Sequence, residues 1–208
     1  MPISIFPGDG AVAGLILAHG AGAGQQSPFM TSSARALAAR GIVIGTFDFP
    51  YMAARRHVPD PAPVLERTWR EVVQASTGIR EFAGLPLYIG GKSMGGRIAS
   101  QAAAANDLPI SGLVFLGYPL HPPGKPQQKR DAHLPSIAAP MLFVQGTRDA
   151  FGTAEEIRAL LPRLQQAELH EIEGGDHSFK VARRAPIGQA EVFERIHDLV
   201  ARWIAALP

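Results

Sequence analysis

The sequence contains no cysteine. Disulfides, thiolate metal sites and a cysteine nucleophile are therefore excluded, and a reducing compartment fits. Charge of one sign is also lacking: 20 Lys and Arg stand against 18 Asp and Glu, a formal net charge of +2. The basic residues are scattered rather than striped, which reads as a solvated surface and not as a nucleic-acid face. Long apolar runs are missing too. The stretch from Ala11 to Ala18 is far too short to span a bilayer. The segment Met1 to Gly10 lacks a basic cluster and is interrupted by Pro7, Gly8 and Asp9, so no signal peptide is visible. The expectation is a soluble cytoplasmic protein with neither nucleic acid nor membrane as partner.

What remains is an ordinary globular composition. Hydrophobic residues make up 46% of 208 residues, enough for one domain, 1–208, with a sizeable core. Short apolar runs alternate with helix-like segments. Gly14 to Ala18, Ile42 to Phe47, Leu87 to Gly90, Gly112 to Leu116, Met141 to Gln145 and Ala167 to Ile172 read as strands, and Ile3 to Phe6 as an edge strand. Helices are expected over Thr31 to Arg40, after Pro61 and Pro63, over Met94 to Ala105, and over Ala154 to Leu161 behind a Thr153/Glu156 capping box. A last amphipathic helix runs from Gln189 to Leu207. Continuous apolar strands alternating with helices imply an α/β fold, a mostly parallel sheet of about six or seven strands covered on both faces. The proline-rich stretch Tyr118 to Leu134 reads as a functional or mobile loop.

The chemistry enters at Gly91-Lys92-Ser93-Met94-Gly95, a G-x-S-x-G directly after a strand and before a helix. A turn this tight strains the serine backbone and needs small neighbours; it lifts the hydroxyl clear of the sheet beside free helix N–H groups. The bland alternative is a serine that caps the following helix. A serine hydroxyl needs a base. With this kind of elbow the order along the chain is serine, acid, histidine. Asp149 and His177 each follow a strand end, where open α/β sheets carry their sites. The expected catalytic set is Ser93, Asp149 and His177. Asp176 competes as the acid, but adjacent side chains rarely reach triad geometry. Oxyanion donors are expected at the Met94 amide and in the glycine-rich loop after the first core strand, at Ala21 with Gly22 as alternative. His19 reads as an anchor of that loop.

Asp48, Tyr51 and His121 are pocket candidates, with His133 in the same loop as His121. Lys92, next to the nucleophile, is expected to point elsewhere. Arg97 reads as a structural partner for a loop carboxylate, and Arg55-Arg56 and Lys129-Arg130 as solvated charge pairs. No metal-ligand spacing is present, and no cofactor or metal is expected.

Five segments, in order, resemble the α/β-hydrolase superfamily over nearly the whole chain. They are Leu17 to Gly22, Phe47 to Tyr51, Gly91 to Arg97, Gly117 to Gly124 and Asp176 to Phe179. They are most similar to a branch of small dienelactone-hydrolase-like proteins that includes the hydrolase-like domain of a regulatory subunit of the NSL chromatin complex. The resemblance implies an α/β-hydrolase fold and cofactor-free hydrolysis of esters or thioesters through an acyl-enzyme; the long helical lid that many lipases insert has no counterpart here beyond the Tyr118 to Leu134 loop, so no large lid is expected. The substrate is then a small acyl compound; monomer and homodimer are both open to the protein. True dienelactone hydrolases use a cysteine, which is absent here. Two rival readings meet the same residues. Nucleotide binding fails because the first P-loop glycine falls on Pro86 and the third dinucleotide glycine on Gln25. A non-catalytic interaction module on a hydrolase scaffold is the alternative.

Overall fold

A computed structural model describes residues 2–105 and 108–207. Seven strands form one sheet: β1 (Ser4–Phe6), β2 (Ala13–Ala18), β3 (Ile42–Phe47), β4 (Leu87–Lys92), β5 (Gly112–Leu116), β6 (Met141–Gly146) and β7 (Ala167–Ile172). Their order is β1-β3-β2-β4-β5-β6-β7. Only β1 runs antiparallel, against β3. The described residues form six α-helices: α1 (Pro28–Ala38), α2 (Pro50–Ala53), α3 (Ala62–Ser76), α4 (Met94–Ala105), α5 (Ala154–Arg158) and α6 (Gln189–Ala206). No helix among the described residues is long and apolar enough to cross a membrane.

Strand alternation sorts the apolar residues into two cores. Ile16, Ala18, Ile89, Leu113 and Phe115 face the helices α3 and α4, where Leu65, Trp69, Val72, Val73, Ile98 and Ala102 meet them. Leu15, Leu17, Tyr88, Val114 and Leu116 face α1 and α6, where Leu37, Val192, Ile196, Val200 and Trp203 are buried. The long strands are apolar throughout because both faces are covered. The α/β-hydrolase architecture read from the sequence is thus present, and no large lid is inserted between β5 and β6.

Boundaries differ where proline intervenes. The first helix begins at Pro28 rather than Thr31, with the fixed proline φ serving its first turn. The helix over α5 stops at Arg158, short of the expected Leu161. The chain then tightens into a 3₁₀ turn, Leu161–Arg163, containing Pro162, which cannot donate to a continuing helix. The short helix α2 was not expected. The Tyr118–Leu134 loop is tied down: Tyr118, Leu120 and His121 are buried, and Arg130 N donates to Leu120 O.

Sheet order fixes the location of the site. From β2 the chain moves outward to β3, then returns across to β4 on the other side. The crevice outside the carboxyl ends of β2 and β4 is such a reversal point. The loop after β2 and the turn after β4 both open into it.

Candidate active site

Ser93 occupies the turn between β4 and α4 with φ of 51°. A non-glycine residue in the left-handed region is strained, by about 1–2 kcal/mol. Its neighbours explain how the turn closes. A Cβ on Gly91 would lie 2.2 Å from the Ala18 carbonyl oxygen, and one on Gly95 2.3 Å from the same atom. Only glycine lets β4 and α4 pass so close to β2.

The imidazole of His177, on the loop after β7, meets that turn. His177 Nε2 lies 2.8 Å from Ser93 Oγ, and His177 Nδ1 lies 2.7 Å from Asp149 Oδ2. The Asp149 carboxylate is fully buried and accepts the hydrogen bond from Nδ1–H. That leaves the Nε2 lone pair facing the serine hydroxyl, the arrangement a general base requires. The second carboxylate oxygen, Asp149 Oδ1, accepts from Phe151 N at 2.8 Å. Asp176 does not compete: its Oδ1 accepts from Ser178 N and Lys180 N, closing the turn that carries His177.

Met94 and Ala21 border the space beside Ser93. The Met94 amide opens α4 and has no intrahelical acceptor. The Ala21 amide makes no hydrogen bond among the described residues. Its direction is set by His19, which is completely buried. His19 Nδ1 donates to Gly20 O at 2.8 Å, and His19 Nε2 accepts from Phe49 N at 3.2 Å. In a trans peptide the carbonyl and the next N–H point opposite ways. Fixing Gly20 O therefore aims Ala21 N–H away from His19. With Nε2 occupied as an acceptor, His19 is neutral, and burial lowers its pKa. The 3.6 Å approach of Asp48 Oδ1 to Nε2 is then a near neighbour rather than an ion pair.

Asp48 and Tyr51 do not line the cavity, contrary to the sequence reading. Both brace the loop after β2 from behind. Asp48 accepts from the backbone N and side-chain Nε2 of Gln25, at 2.8 and 3.2 Å. Tyr51 OH donates to Ala21 O at 3.0 Å. His121 is likewise turned away; it is buried, with Nε2 3.2 Å from Glu156 Oε1. His133 is not solvated either: its Nε2 lies 2.8 Å from Ser100 Oγ. Burial, then the Arg97 charge, lower its pKa to about 4.

Two side chains at the site carry little signal in the sequence, and a third, Lys92, lies where it was not expected. Gln145 ends the apolar run of β6 and is fully buried. Its Nε2 donates to Asp149 Oδ2 at 2.9 Å and to Gly152 O, while its Oε1 accepts from Tyr118 N at 2.7 Å. One amide thus locks the Asp149 carboxylate and the start of the long loop. A polar residue closing a buried strand, four positions before the acid, was the available signal. Phe151 stacks on the His177 ring, and nothing in its local sequence marks it. Lys92 does enter the site, although it does not face Ser93. Its ammonium donates to the His177 carbonyl and lies 5.4 Å from the centre of the Phe179 ring. Burial lowers its pKa to about 8, partly offset by Asp149 and Asp176.

A cavity of about 440 Å³ opens at Ser93, lined by Gly20, Ala21, Gly22, Phe29, Met30 and Phe151 among others. Apart from Ser93, His177 and Lys92 its lining is mostly apolar. No group of three or more acidic or histidine side chains suited to a metal ion occurs among the described residues.

The sheet, the elbow and the hydrogen-bonded Ser-His-Asp arrangement define a class of α/β hydrolases. The sequence profile of the alpha/beta hydrolase domain family matches residues 11–205, and the chain belongs to that family. Among solved structures it is similar to dienelactone hydrolase from Anabaena variabilis, at 20% identity and a TM-score of 0.76, over 99% of this chain and 91% of that one. It is similar to an α/β serine hydrolase without a lid from Xanthomonas campestris, at 22% identity and a TM-score of 0.73, over 99% and 90%. Est1E from Butyrivibrio proteoclasticus, solved with ferulic acid bound, superposes with a TM-score of 0.75 at 14% identity, over 98% and 95%.

Proposed function

We propose that the protein is a serine hydrolase that cleaves carboxylic esters or thioesters through an acyl-enzyme. The single observation that carries this is the continuous hydrogen-bond chain from Ser93 Oγ through the His177 ring to Asp149 Oδ2, with links of 2.8 and 2.7 Å. Ser93 Oγ attacks the acyl carbon as His177 Nε2 takes its proton. The developing oxyanion is held by the amides of Met94 and Ala21, with Gly22 the alternative to Ala21. Collapse of the tetrahedral intermediate expels the alcohol or thiol, which receives the proton from His177. Water, deprotonated by the same imidazole, then attacks the acyl carbon and releases the acid. Asp149 holds the Nδ1–H tautomer and stabilises the imidazolium. All roles are filled by side chains and backbone amides, so the scheme calls for no cofactor. The open mouth of the cavity favours small acyl compounds over long buried chains.

A fluorophosphonate probe tests the reading, with the modified residue mapped by mass spectrometry. Labelling is expected at Ser93 and is abolished in Ser93→Ala. With p-nitrophenyl butyrate, Ser93→Ala and Asp149→Asn are each expected to lower kcat by about three orders of magnitude or more. Both variants keep the backbone: alanine has the same Cβ in the strained turn, and asparagine the same shape in the buried slot. An unlabelled Ser93 in folded protein would instead favour the non-catalytic scaffold reading.

A further inference from the structure

A second cavity, of about 330 Å³, flanks the nucleophile and shares Ala21, Ser93 and Phe151 with the first. Its lining differs in kind. Arg97, from the first turn of α4, and Arg130, from the loop after β5, both enter it, together with Asp60. The carboxylates nearby each meet another arginine through one oxygen, while Asp60 Oδ2 is buried without a partner. Asp60 Oδ1 accepts from Arg56 at 2.7 Å, and Asp131 Oδ2 accepts from Arg163 at 3.2 Å. Neither Arg97 nor Arg130 forms an ion pair among the described residues. Arg97 donates from Nη1 to Gln101 at 2.9 Å, while its Nε is buried with no partner.

Two guanidinium groups facing one small space repel each other. Burial and then the Arg130 charge lower the Arg97 pKa, with Tyr118 and Glu66 offsetting part of this. Arginine nevertheless remains charged. A partly buried cation whose Nε has no partner is costly to a fold, and its planar fork matches an oxyanion. The cost falls when an anion enters.

We propose that this cavity is the subsite for an oxyanionic group, a carboxylate or a phosphate, carried by the substrate. The enzyme then acts on anionic esters or thioesters in preference to neutral ones of the same shape. The proposal rests on the serine-hydrolase reading and deepens it. It also corrects the expectation that Arg97 pairs with a loop carboxylate and that Arg130 is merely solvated.

The test compares kcat/KM within matched sets. On the alcohol side these are 4-carboxyphenyl butyrate, 4-phosphonooxyphenyl butyrate and 4-(methoxycarbonyl)phenyl butyrate. On the acyl side they are the p-nitrophenyl hemiester of adipic acid and its methyl-capped analogue. The side that shows a preference identifies the part of the substrate entering the cavity, and the carboxylate and phosphate arms identify the group. At least one anionic member is expected to exceed its neutral partner by about tenfold or more, the effect of one charge-assisted hydrogen bond. That ratio is expected to fall severalfold in Arg97→Gln and in Arg130→Gln, and in wild type as salt is added. Arg130 is half-buried and its loop is held by backbone and Tyr118 contacts, so Arg130→Gln keeps the test intact if Arg97→Gln does not fold. Ratios near one in wild type, or ratios unchanged in folded variants, would overturn the proposal. Fluorophosphonate labelling run in parallel separates the failures. Labelled Ser93 without charge preference removes the subsite alone; absent labelling together with absent turnover removes the hydrolase reading with it.

Discussion

Phe151 lies face to face with His177, ring centroids 4.2 Å apart and planes inclined by 29°. The same residue donates its backbone N–H to Asp149 Oδ1 at 2.8 Å. One residue therefore holds the base by its side chain and the acid by its main chain. It also forms the wall between the two cavities that meet at Ser93.

Truncation separates these roles. Phe151→Ala keeps the amide and so keeps Asp149 in place, but frees the imidazole to tilt. Aromatic stacking is worth about 0.5–1.5 kcal/mol, so kcat for p-nitrophenyl butyrate is expected to fall about 2- to 10-fold. Phe151→Tyr or Phe151→Trp restores most of it. A value unchanged in Phe151→Ala would show that the loop alone sets the ring.

The bonds of Gln145 predict a clear effect on stability. Gln145→Leu matches its volume but strands the buried Tyr118 N–H and removes a donor from Asp149. Each buried group left unpaired costs about 1–3 kcal/mol. Urea unfolding is expected to show a loss of about 2–4 kcal/mol, with kcat reduced as Asp149 loses its orientation.

His19 touches neither cavity wall through its side chain in this reading; it aims the Ala21 amide. His19→Ala frees the Gly20 carbonyl and is expected to lower kcat by about 10- to 100-fold with little change in KM, since the oxyanion exists only in the transition state. The enzyme is also expected to lose stability on acidification below pH of about 6.5. The folded-state pKa of His19 is lowered, so the unfolded chain takes up its proton first as pH falls. The effect is read as a steeper acid limb of Tm against pH in wild type than in His19→Ala.

Lys92 carries the opposite pH window. Its pKa is about 8 when folded, against 10.5 for the free side chain. At pH 7 both states are charged, and burial of the ammonium opposes folding in full. Between about pH 8 and 10.5 the unfolded chain holds more protons, so stability contributed by this group rises with pH. Wild type is therefore expected to gain stability relative to Lys92→Met on going from pH 7 to pH 9.5, measured by denaturant midpoints. A constant difference across that range would show that burial does not depress this ammonium.

Much of the fold was legible because its signals are local. The apolar runs at Ile42–Phe47, Gly112–Leu116 and Ala167–Ile172 coincide with strands, and the Thr153/Glu156 capping box forms as its spacing implies. Helix ends were less legible. At Pro28 and Pro162, proline's ring geometry outweighed the composition of the flanking residues. At the site, residue types and chain order placed Ser93, Asp149 and His177 after the ends of β4, β6 and β7, and the folded chain brings them within hydrogen-bond distance. Asp48, Tyr51 and His121 were misplaced because position after a strand does not say which way a loop side chain turns. Asp48 turns to Gln25, Tyr51 to the Ala21 carbonyl, and His121 to Glu156.

The sequence by itself determined the parallel sheet, the tight serine turn and the three residue types available at the strand ends. Those follow from sterics and periodicity acting between near neighbours, as in the glycines that let Ser93 sit beside β2. Only the tertiary structure decided that Gln145 locks Asp149, that Phe151 stacks on His177, and that Arg97 and Arg130 share a cavity with Ser93. Such pairings join residues from different loops, and which loops meet is set by the order of strands in the sheet rather than by the spacing of residues along the chain.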